Sequence, residues 1–179
     1  LDSDRRLILV TSHRRENFGD IMNGICQALR NIVAAHPDVE LVYPVHLNPR
    51  VRAPVFDILA GGEDSVANRI HLIEPVDYIS FVYLMMRAHI ILTDSGGVQE
   101  ESPSLGVPTL VMRDTTERPE AVQAGCARLV GTDEDVIFSE ANHLLEDAGH
   151  HAAMSRAANP FGDGKAGPRI ADILLGEEW

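Results

Sequence analysis

Residues 90–97 read Ile-Ile-Leu-Thr-Asp-Ser-Gly-Gly, an apolar run that passes directly into two polar residues and two glycines. The apolar part is typical of a strand that is buried on both faces. Gly96 and Gly97 suit a strand-to-helix junction at which the backbone must stay uncovered. Because parallel strands need helical crossovers, this stretch favours a fold in which parallel strands alternate with helices.

The same alternation extends on both sides of residues 90–97. We predict six strands, at Leu7–Thr11, Val39–Tyr43, Ile70–Ile73, Ile90–Thr93, Val107–Met112 and Ala127–Val130. We predict helices at Ile21–Val33, Pro54–Leu59, Tyr78–Arg87, the stretch after Gly97, Glu120–Ala124, Val136–Leu145 and Ile170–Leu175. This pattern indicates one α/β domain with a doubly wound, parallel, six-stranded sheet. Ligands of such sheets bind outside the carboxyl ends of the strands, so the loops there are the first place to search for function.

The composition limits the class of protein. The chain has 179 residues and a formal net charge of −12, so its overall field repels nucleic acid. No apolar run approaches the ~20 residues of a membrane-spanning helix, and no secretion signal begins the chain. We expect a cytoplasmic protein that binds neither nucleic acid nor a membrane and keeps Cys26 and Cys126 reduced. The missing initiator Met suggests a piece cut from a longer chain or a processed chain.

The loop after the fourth predicted strand has the chemistry of a phosphate site. Gly96 and Gly97 let the backbone approach a ligand, and the free N–H groups of a helix start attract an anion. Ser95 can cap this helix or donate to a phosphate oxygen. Glu101 lies about one turn further on, where a carboxylate can accept two ribose hydroxyls. A plain helix cap with a glycine turn is the alternative interpretation.

Charged residues crowd the other strand-end loops. The first loop contains His13 and Arg14, the second contains His46, and the fifth contains Arg118. Arginine can hold a phosphate with two hydrogen bonds, and histidine can exchange protons near neutral pH. The alternatives are a solvated charged loop after the first strand and a proline-rich turn with surface arginines after the second. Arg118 could instead pair with a neighbouring acid.

No metal site is predicted. His143, His150 and His151 lack cysteine or acidic partners at the spacing of metal ligands, and we expect them on the surface. Neither a phosphate-binding P-loop with its lysine nor a nucleophile elbow is present. The charged loops therefore indicate a phosphorylated or nucleotide-bearing ligand.

Four segments together resemble the non-hydrolysing UDP-N-acetylglucosamine 2-epimerases. They are His13-Arg-Arg-Glu-Asn17, Tyr43-Pro-Val-His-Leu-Asn-Pro49, Thr93-Asp-Ser-Gly-Gly-Val-Gln-Glu-Glu101 and Val111-Met-Arg-Asp-Thr-Thr-Glu-Arg-Pro-Glu120. The resemblance implies a two-domain nucleotide-sugar architecture of the GT-B type, of which residues 1–179 form the C-terminal, UDP-binding, Rossmann-like domain. The N-terminal domain is absent from this chain.

The family also implies roles for individual residues. Ser95, Gly96, Gly97 and Arg118 would hold the diphosphate of UDP, Glu101 the ribose, and the backbone around Phe81 the uracil. His13 would be the catalytic candidate near the diphosphate. Arg14 and His46 would lie near a second, regulatory UDP-N-acetylglucosamine molecule.

The implied reaction is the interconversion of UDP-N-acetylglucosamine and UDP-N-acetylmannosamine at C2, by elimination and re-addition of UDP and without a cofactor such as NAD. The resemblance also implies a homodimer in the intact protein and a place in cell-surface polysaccharide biosynthesis. A UDP-sugar glycosyltransferase half-domain and a stand-alone nucleotide-sugar-binding module are the alternatives. We expect the isolated chain to be inactive, because the family draws its acid and base residues from the N-terminal domain.

Overall fold

Six strands form one sheet in the computed structural model, which describes residues 1–61 and 65–176. The strands are β1 (Arg6–Thr11), β2 (Val39–Pro44), β3 (Ile70–Ile73), β4 (Ala88–Thr93), β5 (Thr109–Val111) and β6 (Ala127–Leu129). Their order across the sheet is β3-β2-β1-β4-β5-β6, and every neighbouring pair is parallel. The doubly wound α/β class predicted from the sequence is confirmed.

The helices cover both faces of the sheet. They are α1 (Asp20–Ala35), α2 (Pro49–Leu59), α3 (Tyr78–Arg87), α4 (Gly96–Leu105), α5 (Pro119–Ala124), α6 (Glu134–Glu146), α7 (Ala148–Ser155) and α8 (Ala166–Leu175). Successive strand residues point to opposite faces, so Ile8 and Val10 pack under α1, α2 and α6. Leu7 and Leu9 point the other way and pack with residues of α3 and α4. Both faces of β1 are thus buried, as its continuous apolar sequence predicts.

Helix α8 begins at Ala166 rather than Ile170, and two further helices differ from the prediction. Helix α2 begins at Pro49 rather than Pro54, because the Asn48 side chain accepts a hydrogen bond from the Arg50 amide and caps the helix. Helix α7 was not predicted; Asp147 caps it by accepting from the Gly149 and His150 amides. Both helices are started by a side-chain cap rather than by a clear apolar period.

The sheet places two loops side by side at its centre. The strand order reverses between β1 and β4, so the crossovers that follow these two strands leave on opposite faces. A crevice opens at such a switch point, and here it lies between the loop after β1 and the start of α4. No helix of the described ranges has the length and apolarity needed to cross a membrane.

Candidate functional site

A cleft of about 250 Å³ lies at the carboxyl ends of β1 and β4. Four residues singled out from the sequence line it together: His13, His46, Phe81 and Ser95. They come from the loops after β1, β2 and β4 and from α3, and the parallel sheet brings them to one edge. A larger hollow of about 540 Å³ lies between α1 and α2, and none of the predicted site residues lines it.

The start of α4 is open. Ser95 occupies the N-cap position, yet its hydroxyl accepts no capping hydrogen bond from the described residues. Neither glycine is required by the fold: a methyl group at Gly96 would meet the Arg14 guanidinium at 3.8 Å, and one at Gly97 would meet the Ser95 hydroxyl at 3.9 Å. Both are ordinary contact distances, and neither glycine has a positive φ. The Ser95 amide donates to the Thr93 hydroxyl at 2.9 Å, and Gly96 is buried. Gly97 is exposed, so an anion can approach the partial positive charge of the helix start from its side.

A buried carboxylate fixes the loop after β1 against β4. Asp94 has no exposed surface, and its Oδ2 accepts hydrogen bonds from the Ser12 hydroxyl and the His13 and Arg14 amides, each at 2.8 Å. The side chain of Asn17 donates to the same oxygen at 3.1 Å. These donors compensate the burial of the negative charge and hold the loop in one conformation.

His13 lies between this carboxylate and the cleft. Its Nδ1 is 3.4 Å from Asp94 Oδ1, and 41% of its side chain is exposed. The ring also stacks on His46, with 5.6 Å between ring centroids and 20° between ring planes. The two histidines predicted from separate loops are therefore neighbours, and the ring of His13 is both oriented and accessible.

Arginines connect the loops after β1 and β5. Arg113 is buried and donates to Glu16 at 2.6 Å and to Glu117 at 2.5 Å. Hydrogen bonding to Arg113 holds the pKa of Glu117 below its usual range. Arg14 donates to the Asp94 carbonyl at 3.3 Å and lies 3.5 Å from Glu117. Arg14 therefore lies beside the start of α4, and Glu117 partly neutralises its charge.

Arg118 has an acidic partner in this structure. Its Nε donates to the Glu100 carboxylate, and its Nη1 donates to the Glu117 carbonyl at 2.9 Å. The sequence left open whether Arg118 binds a diphosphate or pairs with a neighbouring acid, and the structure shows the pair. Both side chains are partly exposed, so an exchange of Glu100 for a phosphate costs little electrostatic energy.

Glu101 lies beside the cleft rather than in it. Its carboxylate accepts a hydrogen bond from the Tyr78 hydroxyl at 3.3 Å, in a hollow of about 220 Å³ between α3 and α4. The residue is one and a half turns from the helix start, a distance that a ribose attached to a bound diphosphate can span.

Two residues at the site were missed by the sequence reasoning. Asp94 has no predicted role, although a charged residue directly after an apolar strand is the available signal. Gln99 is fully buried, donates to the Ser95 carbonyl at 3.1 Å and accepts from the Thr116 hydroxyl at 2.5 Å. It ties the start of α4 to the loop before α5. Among residues 1–61 and 65–176, no group of three or more His, Cys, Asp or Glu side chains is placed to hold a metal ion.

Comparison with known proteins gives the family. A family model described as UDP-N-acetylglucosamine 2-epimerase matches residues 2–175. The UDP-N-acetylglucosamine 2-epimerase of Escherichia coli K12 is 58% identical over 174 residues, which are 97% of this chain and 45% of that protein. The chain therefore spans less than half the length of this relative.

Solved structures agree with this match. UDP-GlcNAc 2-epimerase from Neisseria meningitidis, in a crystal structure bound to UDP-GlcNAc, superposes with a TM-score of 0.90 at 44% identity. The match covers 99% of this chain and 46% of the Neisseria chain. Staphylococcus aureus MnaA, in a co-structure with UDP, superposes with a TM-score of 0.88 at 43% identity. This match covers 97% of this chain and 47% of the MnaA chain. The chain belongs to the UDP-N-acetylglucosamine 2-epimerase family.

Proposed function

We propose that this chain is the UDP-binding half of a non-hydrolysing UDP-N-acetylglucosamine 2-epimerase. The intact protein would interconvert UDP-N-acetylglucosamine and UDP-N-acetylmannosamine, an isomerisation at C2 of the sugar. The observation that carries the proposal is the open, glycine-lined start of α4 at the switch point of the sheet. The family match supports this function over the alternatives of a glycosyltransferase half and a stand-alone binding module.

Each part of UDP has a proposed position. The Ser95 hydroxyl and the backbone amides of Gly96 and Gly97 hold the diphosphate, because a helix start favours negative charge. The Glu101 carboxylate accepts the ribose hydroxyls after giving up the Tyr78 hydroxyl. The half-buried Phe81, which lines the cleft, marks the uracil end. Arg118 joins the diphosphate when it exchanges Glu100 for a phosphate oxygen.

The reaction requires UDP to leave and return. Removal of the C2 proton and departure of UDP give a 2-acetamidoglucal, and addition of UDP with a proton at the opposite face of C2 gives the epimer. The helix start and the arginines stabilise UDP as the leaving group. We expect His13, which lines the cleft, to contact the departing oxygen or the β-phosphate. No cofactor is needed, since the substrate is neither oxidised nor reduced.

The base that removes the C2 proton is assigned to the half of the protein that this chain lacks. Arg113 holds Glu16 and Glu117 in ion pairs, which leaves them poorly suited to remove a proton. The family does not assign the base to the positions of Glu100 and Glu120, the other acids near the cleft. Asp94 is buried beneath its donors. A positioned base contributes ~10²–10⁴ in rate. The isolated chain is therefore expected to bind UDP without catalysing epimerisation.

The experiment is a proton-exchange assay in heavy water. The full-length protein is incubated with UDP-N-acetylglucosamine, and deuterium at C2 is followed together with the appearance of the manno epimer. The proposal requires exchange at C2 by the full-length protein and none by the 179-residue chain. Exchange catalysed by the 179-residue chain alone contradicts the assignment of the base to the missing half. Transfer of the sugar to an acceptor molecule without exchange at C2 contradicts the epimerase activity. The homodimer, the cytoplasmic location and the regulatory role of Arg14 and His46 stay predictions.

A further inference from the structure

The two oxygens of the Asp94 carboxylate have different surroundings. Oδ2 accepts from Ser12, Asn17 and two backbone amides, which fill its acceptor positions. Oδ1 is buried and has no hydrogen-bond partner among the residues that the structure describes. A carboxylate oxygen left unpaired in the interior is costly, so such an atom calls for an explanation.

The ring of His13 is a hydrogen-bond donor close to Asp94 Oδ1. Its Nδ1 lies 3.4 Å away, slightly beyond a good hydrogen bond, and a small rotation of the ring closes the gap. The His13 amide donates to Oδ2 at 2.8 Å, so the same residue is held at its backbone while its ring faces Oδ1. His46 stacks on one face of the ring and restricts its tilt.

We propose that Asp94 is a positioning residue for His13. Its Oδ1 accepts a hydrogen bond from Nδ1–H of the imidazole and thereby selects the tautomer in which the neutral ring presents an unprotonated Nε2 to the cleft. The tautomer of a histidine is set by the hydrogen bond that its other nitrogen makes. The role assigned to His13 near the departing UDP rests on the proposed function, whereas the Asp94–His13 contact does not.

The substitution Asp94→Asn separates orientation from folding. The amide oxygen of Asn can replace Oδ2 and accept from the same donors, so the loop after β1 keeps its anchor. The amide NH₂ then faces Nδ1 as a donor, which favours the opposite tautomer, with the proton on Nε2. In serine proteases the corresponding change leaves the geometry intact and lowers turnover ~10⁴-fold through the wrong tautomer.

The first measurement is the tautomer itself. Long-range proton–nitrogen NMR spectra of the ¹⁵N-histidine-labelled chain at about pH 8, where an ordinary histidine with a pKa of ~6.5 is neutral, distinguish protonated from unprotonated ring nitrogens. We expect Nδ1–H for His13 in the unsubstituted chain and Nε2–H in Asp94→Asn. Ser12→Ala is the matched control: it removes one donor from Oδ2 and should leave the tautomer unchanged. An Nε2–H ring in the unsubstituted chain overturns the proposal, whether or not Asp94→Asn folds.

The second measurement separates positioning from binding. In the full-length protein Asp94→Asn should lower kcat ~10²–10⁴-fold, the range for a lost acid–base group, with KM changed far less. Calorimetry with UDP on the substituted chain should show an affinity within about threefold of the original, since the anchor at Oδ2 is kept. An unchanged kcat, or a loss confined to UDP affinity, overturns the positioning role. Failure of the unsubstituted chain to bind UDP contradicts the proposed function alone, because the tautomer is read without nucleotide.

Discussion

The two ends of β4 differ in whether their polar groups have partners within the protein. At its amino end, the ring of His89 stacks on His151 with 3.9 Å between centroids, and His151 Nε2 lies 2.9 Å from the His89 carbonyl oxygen. At its carboxyl end, among the described residues, Asp94 Oδ1 has no hydrogen-bond partner and the Ser95 side chain does not cap α4. The amino end is therefore closed by the protein itself, whereas the carboxyl end is open to a ligand.

The electrostatics of the two ends differ in the same way. Burial, followed by the nearby His151 and Arg6, lowers the pKa of His89 to about 4, so this ring stays neutral at physiological pH. At the other end, the Asp94 carboxylate is stabilised by the N–H and O–H groups that donate to its Oδ2. A doubly wound sheet thus concentrates unsatisfied polar groups at one edge, where function can use them.

The largest expected effect comes from filling the open start of α4. Gly97→Val should weaken UDP binding to the chain about 100-fold, roughly 2.7 kcal/mol, because hydrogen bonds to a charged ligand are worth ~1.5–3 kcal/mol each. The matched control is Gly24→Val in α1, where a Cβ meets nothing within 4 Å. Valine and glycine differ by only a few tenths of a kcal/mol in helix propensity, so both variants should keep their unfolding midpoints. Equal UDP affinity of the two variants would place the diphosphate elsewhere.

The second effect concerns the ribose. Glu101→Ala should weaken binding of UDP by roughly 2 kcal/mol and leave 2′,3′-dideoxy-UDP almost unaffected, since hydrogen bonds to a charged group are worth ~1.5–3 kcal/mol. Tyr78→Phe is the control, because it removes only the hydroxyl that donates to Glu101 in the free chain. Equal losses for both nucleotides would show that Glu101 acts through the structure of α4.

A third test concerns the closed end of β4 and its response to acid. Because the pKa of His89 is about 4 in the folded chain and ~6.5 when unfolded, the unfolded state binds the proton first, and stability falls as the pH drops from 6.5 toward 4. The free energy of unfolding should fall between about pH 7.5 and 5, and His89→Phe should make this fall smaller by about 1 kcal/mol. This figure allows for the part of the His89 ring that water reaches. Urea unfolding at both pH values measures it, and His46→Gln is the exposed control. An unchanged pH dependence in His89→Phe would mean that the stack does not resist protonation.

The smallest expected effect is a gain in UDP affinity. Glu100→Gln removes the carboxylate that Arg118 must leave before it can bind a phosphate. UDP affinity should therefore rise about threefold, in line with the small energy of exposed ion pairs. In an Arg118→Ala background the same substitution should change nothing. A gain that persists without Arg118 would show that Glu100 acts only by general repulsion.

Much of this fold follows from local sequence signals, and part of the site does not. Apolar runs located all six strands, and the rule that ligands bind at their carboxyl ends directed attention to the loops that line the cleft. Helix α7 was missed because Met154 is its one buried residue among those described, which gives no period to detect. The contact of Asp94 with the loop after β1 joins residues 77 to 82 positions apart and depends on β1 and β4 being neighbours. The partner of Arg118 likewise becomes visible only once α4 and α5 are placed.

The central claim is that the carboxyl end of β4 binds the diphosphate of a nucleotide. Titration calorimetry of the 179-residue chain with UDP and with uridine, in the same buffer, tests it most directly. The account predicts that UDP binds at least about 30-fold more tightly than uridine, since the diphosphate adds charge-assisted hydrogen bonds worth roughly 2 kcal/mol. Equal affinity for UDP and uridine, or no binding of UDP at millimolar concentration, would contradict it.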